Sequence, residues 1–215
     1  MRTINPKAIL FDLDGTLADS LSVMKLSYRV FLKQLARVPT DEEFDSLNGP
    51  PLQEIINRLK YTHFLNESED VLLKNYFDII DQSYFSVKPR YGAISLLQKA
   101  KQKNCTIGIV TSNTRKRTQV WLETVSLAHM IDFIVSGDEV KQGKPHSEPY
   151  VIASKKTSYK LDQIVAIEDS QQGAQSAIGA GLKTLVIGME TAGYSWPQGV
   201  ELVPSLFEAS EKLFN

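Results

Sequence analysis

Two aspartates separated by one residue close the first apolar run of this chain, in Phe11-Asp12-Leu13-Asp14-Gly15-Thr16-Leu17. The run itself, Lys7-Ala8-Ile9-Leu10-Phe11, has the length and composition of a short buried strand. Side chains two apart on a strand point to the same side, so the spacing predicts Asp12 and Asp14 projecting together from the strand's carboxyl end. Gly15 then lets the chain turn sharply. Adjacent like charges are costly unless a cation or a proton takes up the repulsion, which makes this a good start for a metal site. Asp-Gly is also an ordinary turn signal, and taken alone the fragment fits a polar loop as well.

Three further fragments add to it. Ile107-Gly108-Ile109-Val110-Thr111-Ser112-Asn113 is an apolar strand ending in two hydroxyls and an amide. The Thr111 hydroxyl and nearby backbone N–H groups suit phosphate oxygens, while Asn113 or Thr114 equally suits a helix N-cap. Gln142-Gly143-Lys144-Pro145 precedes a helix, whose N-terminus already favours anions, so Lys144 is placed to offset carboxylates and hold a phosphate oxygen. Ile164-Val165-Ala166-Ile167-Glu168-Asp169-Ser170 is a second strand ending in acids, which suit either a helix cap or a hard cation. Carboxylates about 4 Å apart repel by about 4 kcal/mol at an effective dielectric of about 20. A phosphate dianion enters such a cluster only together with a metal ion and a lysine.

These fragments need a scaffold that brings strand ends to one edge. After the first strand, apolar residues at Leu21, Met24, Tyr28, Phe31 and Leu35 predict a helix within 20–37. Thr40-Asp41-Glu42-Glu43 reads as a capping box opening a second helix, Leu52 to Leu59 as a third. Asn66-Glu67-Ser68-Glu69 opens a long fourth helix with Leu72, Tyr76, Ile79 and Ile80 on one face. Beyond Lys88-Pro89 the pattern alternates: helices at 91–103, 114–124, 148–156 and 171–180, and strands at 105–110, 132–136, 163–167 and 183–188. Such alternation predicts a parallel sheet covered on both faces, with a helical module inserted after its first strand.

The 215 residues are 42% hydrophobic and 23% charged, the balance of a soluble globular protein. A net charge of −1 with both signs interspersed gives no electrostatic case for nucleic acid or an anionic membrane. No apolar run is long enough to span a bilayer, and Met1 to Pro6 leads straight into the first strand, so neither a membrane span nor a signal peptide is expected. The single cysteine, Cys105, fits a reducing compartment and reads as a small buried hydrophobe; a cytoplasmic location is the expectation.

The four fragments, in this order around a helical insertion, resemble the haloacid dehalogenase-like superfamily of phosphotransferases over essentially the whole chain. Asp12-Leu13-Asp14-Gly15-Thr16-Leu17, Thr111, Lys144-Pro145 and Glu168-Asp169-Ser170 look like its four signature motifs, and the insertion looks like its type 1 cap. Asn48-Gly49-Pro50-Pro51-Leu52 and Thr16-Leu17-Ala18-Asp19-Ser20 are most similar to the phosphoglycolate phosphatase branch. His146-Ser147-Glu148 departs from the family, which usually has a small residue followed by Pro and Asp. The resemblance implies an α/β fold with a doubly wound, Rossmann-like parallel sheet in a core of residues 1–17 and 88–215, and an inserted helical-bundle cap of residues 18–87.

It also implies a mechanism. Asp12 would attack phosphorus and form an aspartyl-phosphate, and Asp14 would protonate the leaving oxygen and then activate water. Mg²⁺ would be held by an Asp12 oxygen, the Asp14 backbone carbonyl and Asp169, with Glu168 in the outer shell. Thr111, the Ser112 backbone and Lys144 would hold the transferring phosphoryl group. The implied partner is a small phosphorylated metabolite, in a monomer or weak homodimer.

Substrate choice is expected in Gly49 and Pro50 of the cap and in Asn113 on the core side. Arg29, Arg58 and Lys60 read as solvated helix-face charges, as does the cluster Arg115-Lys116-Arg117; His63, His129 and Trp121 read as packing or surface. Gly193-Tyr194-Ser195-Trp196-Pro197 reads as a loop carrying two aromatics. The leading reading is a phosphatase; a sugar phosphomutase of the β-phosphoglucomutase type and a catalytically silent phosphate-binding regulator are the alternatives.

Overall fold

The structure is a computed structural model that describes residues 3–47, 52–188 and 195–215. The predicted residues Gly49 and Pro50, and Gly193 and Tyr194 of the aromatic loop, lie outside the described residues. The chain divides into two compact units, one of Met1–Asp19 and Lys88–Asn215, the other of Ser20–Val87.

The smaller unit contains helices α1 (Leu21–Gln34), α2 (Asp41–Ser46), α3 (Leu52–His63) and α4 (Glu69–Tyr84). Helices α1 and α4 pack on each other, with the Phe31 and Tyr76 rings stacked at 4.7 Å. Leu72, Tyr76, Ile79 and Ile80 of α4 are all buried, as their periodicity predicts. On α1 the buried stripe is Ser27, Tyr28, Phe31 and Leu32, whereas the expected Leu21 is exposed. The first turn of α1 thus contributes less to the core than its apolar spacing suggests. The capping box at Thr40 is half made: the Thr40 hydroxyl accepts from the Glu43 N–H at 3.2 Å. The Glu43 carboxylate turns inward instead, accepting from the Tyr28 hydroxyl and pairing with His63 Nε2 at 2.9 Å.

The larger unit is built on strands β1 (Ala8–Phe11), β2 (Thr106–Val110), β3 (Phe133–Val135), β4 (Ile164–Glu168), β5 (Lys183–Ile187) and β6 (Val200–Val203). Between and after them run α5 (Ala93–Gln102), α6 (Arg115–Thr124), α7 (Glu148–Thr157), α8 (Gln171–Gly179) and α9 (Leu206–Phe214). The six strands form one parallel sheet in the order β3-β2-β1-β4-β5-β6. Parallel strands covered on both faces are apolar throughout, and β1 and β4 are buried along their whole length. Ala8 and Leu10 share a buried cluster with Tyr150 and Ala153 of α7 and Ala177 of α8. Ile9 and Phe11 point to the other face, and α5 and α9 pack on each other and on the sheet. This is the doubly wound, Rossmann-like α/β architecture. Among the described residues no helix is long and apolar enough to cross a membrane.

The sequence reading stops at the fifth strand. Strand β6 is a four-residue edge strand carrying Glu201, too short and too polar to stand out. Helix α9 does carry a helical stripe, with Leu206, Ala209, Leu213 and Phe214 buried.

The strand order fixes where a site belongs. Connections from β1 run outward through β2 to β3, and those from β4 run the other way to β6. Between β1 and β4 the winding reverses, which opens a crevice at the carboxyl ends of these two strands.

Candidate active site

Asp12 stands at that crevice. It follows β1 directly, and its backbone N–H donates to the Ile167 carbonyl of β4 at 2.9 Å. Strand β1 ends at Phe11, where the apolar run ends, so Asp12 and Asp14 stand in the turn after the strand, whereas their spacing taken alone treats them as strand residues. The Leu17 and Ala18 N–H groups both donate to the Leu13 carbonyl, and the Gly15 N–H donates to Ala18, which winds 13–18 into a compact turn around the fully buried Leu13. Asp12 is only 7% exposed, whereas Asp14 is half-buried.

Gly15 is required twice over. Its φ of +85° lies in the left-handed region, and a Cβ there would sit 1.9 Å from an Asp169 carboxylate oxygen. The Arg90 guanidinium, which no motif singles out, donates to the Gly15 carbonyl. Gly15→Ala is therefore expected to lose about 1–3 kcal/mol of stability and to displace Asp169. Urea denaturation, together with a drop in catalytic rate, checks this; a variant as stable and active as wild type would contradict the packing described.

Lys144 reaches the crevice from the loop before α7. Its ammonium donates to Asp12 Oδ1 at 2.6 Å, Glu168 Oε1 at 2.5 Å and the Val110 carbonyl at 2.9 Å. Its three protons are therefore committed within the protein, and a phosphate oxygen reaching Lys144 must share one of them. Glu168 ends β4 and is fully buried; its Oε1 also accepts from the Tyr150 hydroxyl at 2.6 Å. Gly173 makes room for it, because a Cβ there would lie 2.0 Å from Glu168 Oε2. The Tyr150 role had no sequence signal, since an aromatic on a helix reads as core. Ser170 caps α8 by accepting from the Gly173 N–H at 3.0 Å, which leaves Asp169 to face the crevice, where its Oδ1 accepts from the Thr16 hydroxyl at 3.4 Å.

The charges do not balance locally. Burial raises the Asp12 pKa well above the ordinary carboxylate value, Lys144 opposes this, and Glu168 and Asp169 add to it. Asp169 is pushed up to about 7, by burial first and then by Glu168. Burial works against the Lys144 charge, but Asp12 and Glu168 more than offset it and hold its pKa above the ordinary lysine value. Asp12, Glu168 and Asp169 each offer a carboxylate oxygen, all within 4.8 Å of one another. Oxygen donors with excess negative charge fit a hard divalent cation.

Thr111 directly follows β2, is 3% exposed, and its oxygen accepts from the Asn113 N–H at 3.0 Å, so its own proton stays available to a ligand. Ser112 is exposed. Thr114, not Asn113, caps α6, accepting from the Arg117 N–H at 3.3 Å. The Asn113 side chain turns instead to the turn after β1, donating to Asp14 Oδ2 at 3.1 Å. Arg117 is not a solvated charge: it is 9% exposed and donates to Asn113 Oδ1 at 2.8 Å. Arg115 pairs with Glu139 and Lys116 is exposed. Arg29 pairs with Asp41 and Arg58 with Glu54 on exposed helix faces, and Trp121 is fully buried packing. His63 is paired with Glu43, and His129 is exposed. Cys105 is buried, and burial pushes its thiol pKa up.

The unusual His146-Ser147-Glu148 supports the Lys144 loop in its own way. The Glu148 carboxylate accepts from the Lys141 and Gln142 N–H groups at 2.8 and 3.0 Å, tying the start of the loop to the first turn of α7. The His146 carbonyl accepts from the Ser176 hydroxyl of α8 at 2.6 Å.

A family model for haloacid dehalogenase-like hydrolases matches residues 9–187, which spans this site from β1 to β5. The chain belongs to that family. Several curated relatives are phosphatases by name. A pyrophosphatase PpaX of Oceanobacillus iheyensis is 25% identical over 84% of this chain and 83% of its own. A phosphoglycolate phosphatase of Nitrosospira multiformis is 24% identical over 95% and 94%. Among solved structures, CbbY from Rhodobacter sphaeroides in complex with phosphate superposes with a TM-score of 0.82 at 22% identity, covering 94% of this chain and 96% of that one, a likeness of fold.

Proposed function

We propose that this member of the haloacid dehalogenase-like hydrolases is a Mg²⁺-dependent phosphatase acting on a small phosphomonoester through an aspartyl-phosphate on Asp12. The observation that carries the reading is the buried junction of Lys144 with Asp12 and Glu168 at the reversal point of the sheet. A buried lysine between two carboxylates stabilises the ionised form of Asp12 against desolvation, and a nucleophilic carboxylate must be ionised.

The Asp12 Oδ2 atom is the oxygen that Lys144 leaves uncontacted, and it forms the bond to phosphorus as the ester O–P bond breaks. Asp14 gives its proton to the departing alkoxide. It then takes a proton from the water that attacks the aspartyl-phosphate, releasing inorganic phosphate and restoring Asp12. Lys144, the Thr111 hydroxyl and the Ser112 N–H offset charge on the transferring group. Asp12, Asp169 and the Asp14 carbonyl would hold Mg²⁺, with Glu168 behind them. When bound, the ion neutralises the charge that accumulates on the phosphoryl oxygens. Glu168 is held by Lys144 and Tyr150, which keeps its charge close to the cluster without making it a nucleophile.

Phosphate release from a panel of phosphoglycolate, sugar phosphates and nucleoside monophosphates, with and without Mg²⁺, tests this. Release by the Mg²⁺-loaded protein, abolished by chelation, is expected. Absence of release, with sugar-phosphate isomerisation that depends on added bisphosphate, would replace the phosphatase with a mutase. Binding of a phosphate analogue without any turnover would leave a silent phosphate-binding protein.

A further inference from the structure

We infer that Arg117 is a positioning residue for Asp14 and acts through the side chain of Asn113; the inference rests on Asp14 being the general acid and base proposed above. Asp14 follows β1 in a turn where a bridge to Ala18 pairs its backbone and leaves the direction of its carboxylate to side-chain contacts. One of its oxygens, Oδ2, is held by the Asn113 amide at 3.1 Å. That amide is itself locked. Its Oδ1 accepts from two donors, the Arg117 guanidinium at 2.8 Å and the Thr114 N–H at 2.9 Å. Reversing the amide would turn its NH₂ toward both donors and its oxygen toward the Asp14 carboxylate, so its orientation is determined by its partners.

The cost of placing Arg117 points the same way. Arginine is rarely buried, and a cation in the first turn of a helix opposes the helix dipole. Arg117 is nevertheless 9% exposed at the third position of α6. Asn113 is 8% exposed and is pinned from its backbone as well, by the Thr111 oxygen at 3.0 Å. Guanidinium, amide and carboxylate thus form a series of hydrogen bonds, buried at its Arg117 and Asn113 end and half-buried at Asp14, each dependent on the one before. Fixing one carboxylate oxygen fixes the direction of the other, and misplacing a reacting group by about 1 Å costs about 10²-fold in rate.

Proton donation matters most when the departing group is a poor one. An alkoxide needs the proton from Asp14, whereas p-nitrophenolate leaves without it. The kcat/KM ratio covers events only up to transfer to Asp12, so the later water step does not enter. The test compares kcat/KM for phosphoglycolate and p-nitrophenyl phosphate in wild type, Arg117→Met, Asn113→Ala and the double variant, all with Mg²⁺. Arg117→Met is expected to lose about 10- to 100-fold on phosphoglycolate and no more than about threefold on p-nitrophenyl phosphate. The double variant is expected to lose no more than Asn113→Ala alone, because the two groups act in series. Equal losses on both substrates would reduce Arg117 to a structural role and overturn the inference, as would additive losses in the double variant. If Arg117→Met does not fold, Arg117→Lys and Asn113→Ala carry the same comparison of substrates. A wild type inactive on phosphoglycolate but active on another alkyl phosphate of the panel is compared on that ester instead, and one that releases phosphate from no ester contradicts the phosphatase reading itself and removes the inference with it.

Discussion

Asp12→Asn is expected to fold as the wild type does and to lose phosphate release by about 10³-fold or more, the scale seen when a nucleophile is removed. Asparagine keeps the shape of the side chain but has no charged oxygen to attack phosphorus. The fold has little reason to object. Lys144 keeps its bonds to Glu168 and Val110, and one of three crowded carboxylates is neutralised. Burial raises the Asp12 pKa and Lys144 opposes the rise, so the substitution gives up an ion pair and a desolvation cost together. Circular dichroism and thermal unfolding should match or exceed wild type. An unfolded variant would mean that Asp12 is a structural residue, and retained turnover would move the nucleophile elsewhere.

Lys144→Met is the second large effect, and it combines lost activity with lost stability. It leaves Asp12 and Glu168 buried without their cation, and breaking a buried pair in this way costs about 3–5 kcal/mol. The loss should depend on pH. A carboxylate whose folded pKa is raised contributes stability that is fully present below its unfolded pKa, about 4, and is lost as pH rises through the folded value. Asp169 already titrates near 7 in the wild type, and Asp12 is raised as well. Without Lys144 both carboxylates lose an attraction that opposes these rises, so the deficit should be larger at about pH 8 than at about pH 5. The Lys144 charge itself is constant across this window, because its pKa is raised from an already high value. Urea denaturation of the metal-free proteins at the two pH values measures the difference; a deficit independent of pH would contradict the electrostatic origin.

Much of this site was legible because parallel strands announce themselves. Runs such as Ile107–Val110 and Ile164–Ile167 are apolar throughout, so the polar residues that follow them must fall at one edge of one sheet. Asp12, Thr111, Glu168 and Asp169 are legible that way, and Lys144 by its place just before a helix N-terminus. The end of β1 at Phe11 is legible in the apolar run that stops there, whereas the winding of 13–18 around Leu13 is not, because it depends on the burial of Leu13 within the turn. Tyr150 and Arg117 were missed or misassigned for a different reason. A tyrosine on a helix looks like core and an arginine looks like a solvated face. Only the tertiary contacts reveal that one donates to Glu168 and the other to Asn113. Likewise Asn113 looked ready for substrate, yet both polar atoms of its side chain are engaged within the protein.

The nucleophilic role of Asp12 is tested most directly by the stereochemistry at phosphorus, using a hydrolysable phosphorothioate ester made chiral by sulfur and two oxygen isotopes and cleaved in water of the third isotope. Each in-line displacement inverts the configuration. Transfer to Asp12 followed by transfer to water is two displacements, so net retention is expected. Net inversion would show a single direct attack by water, and Asp12 would then be a metal ligand or base with no aspartyl-phosphate on the path.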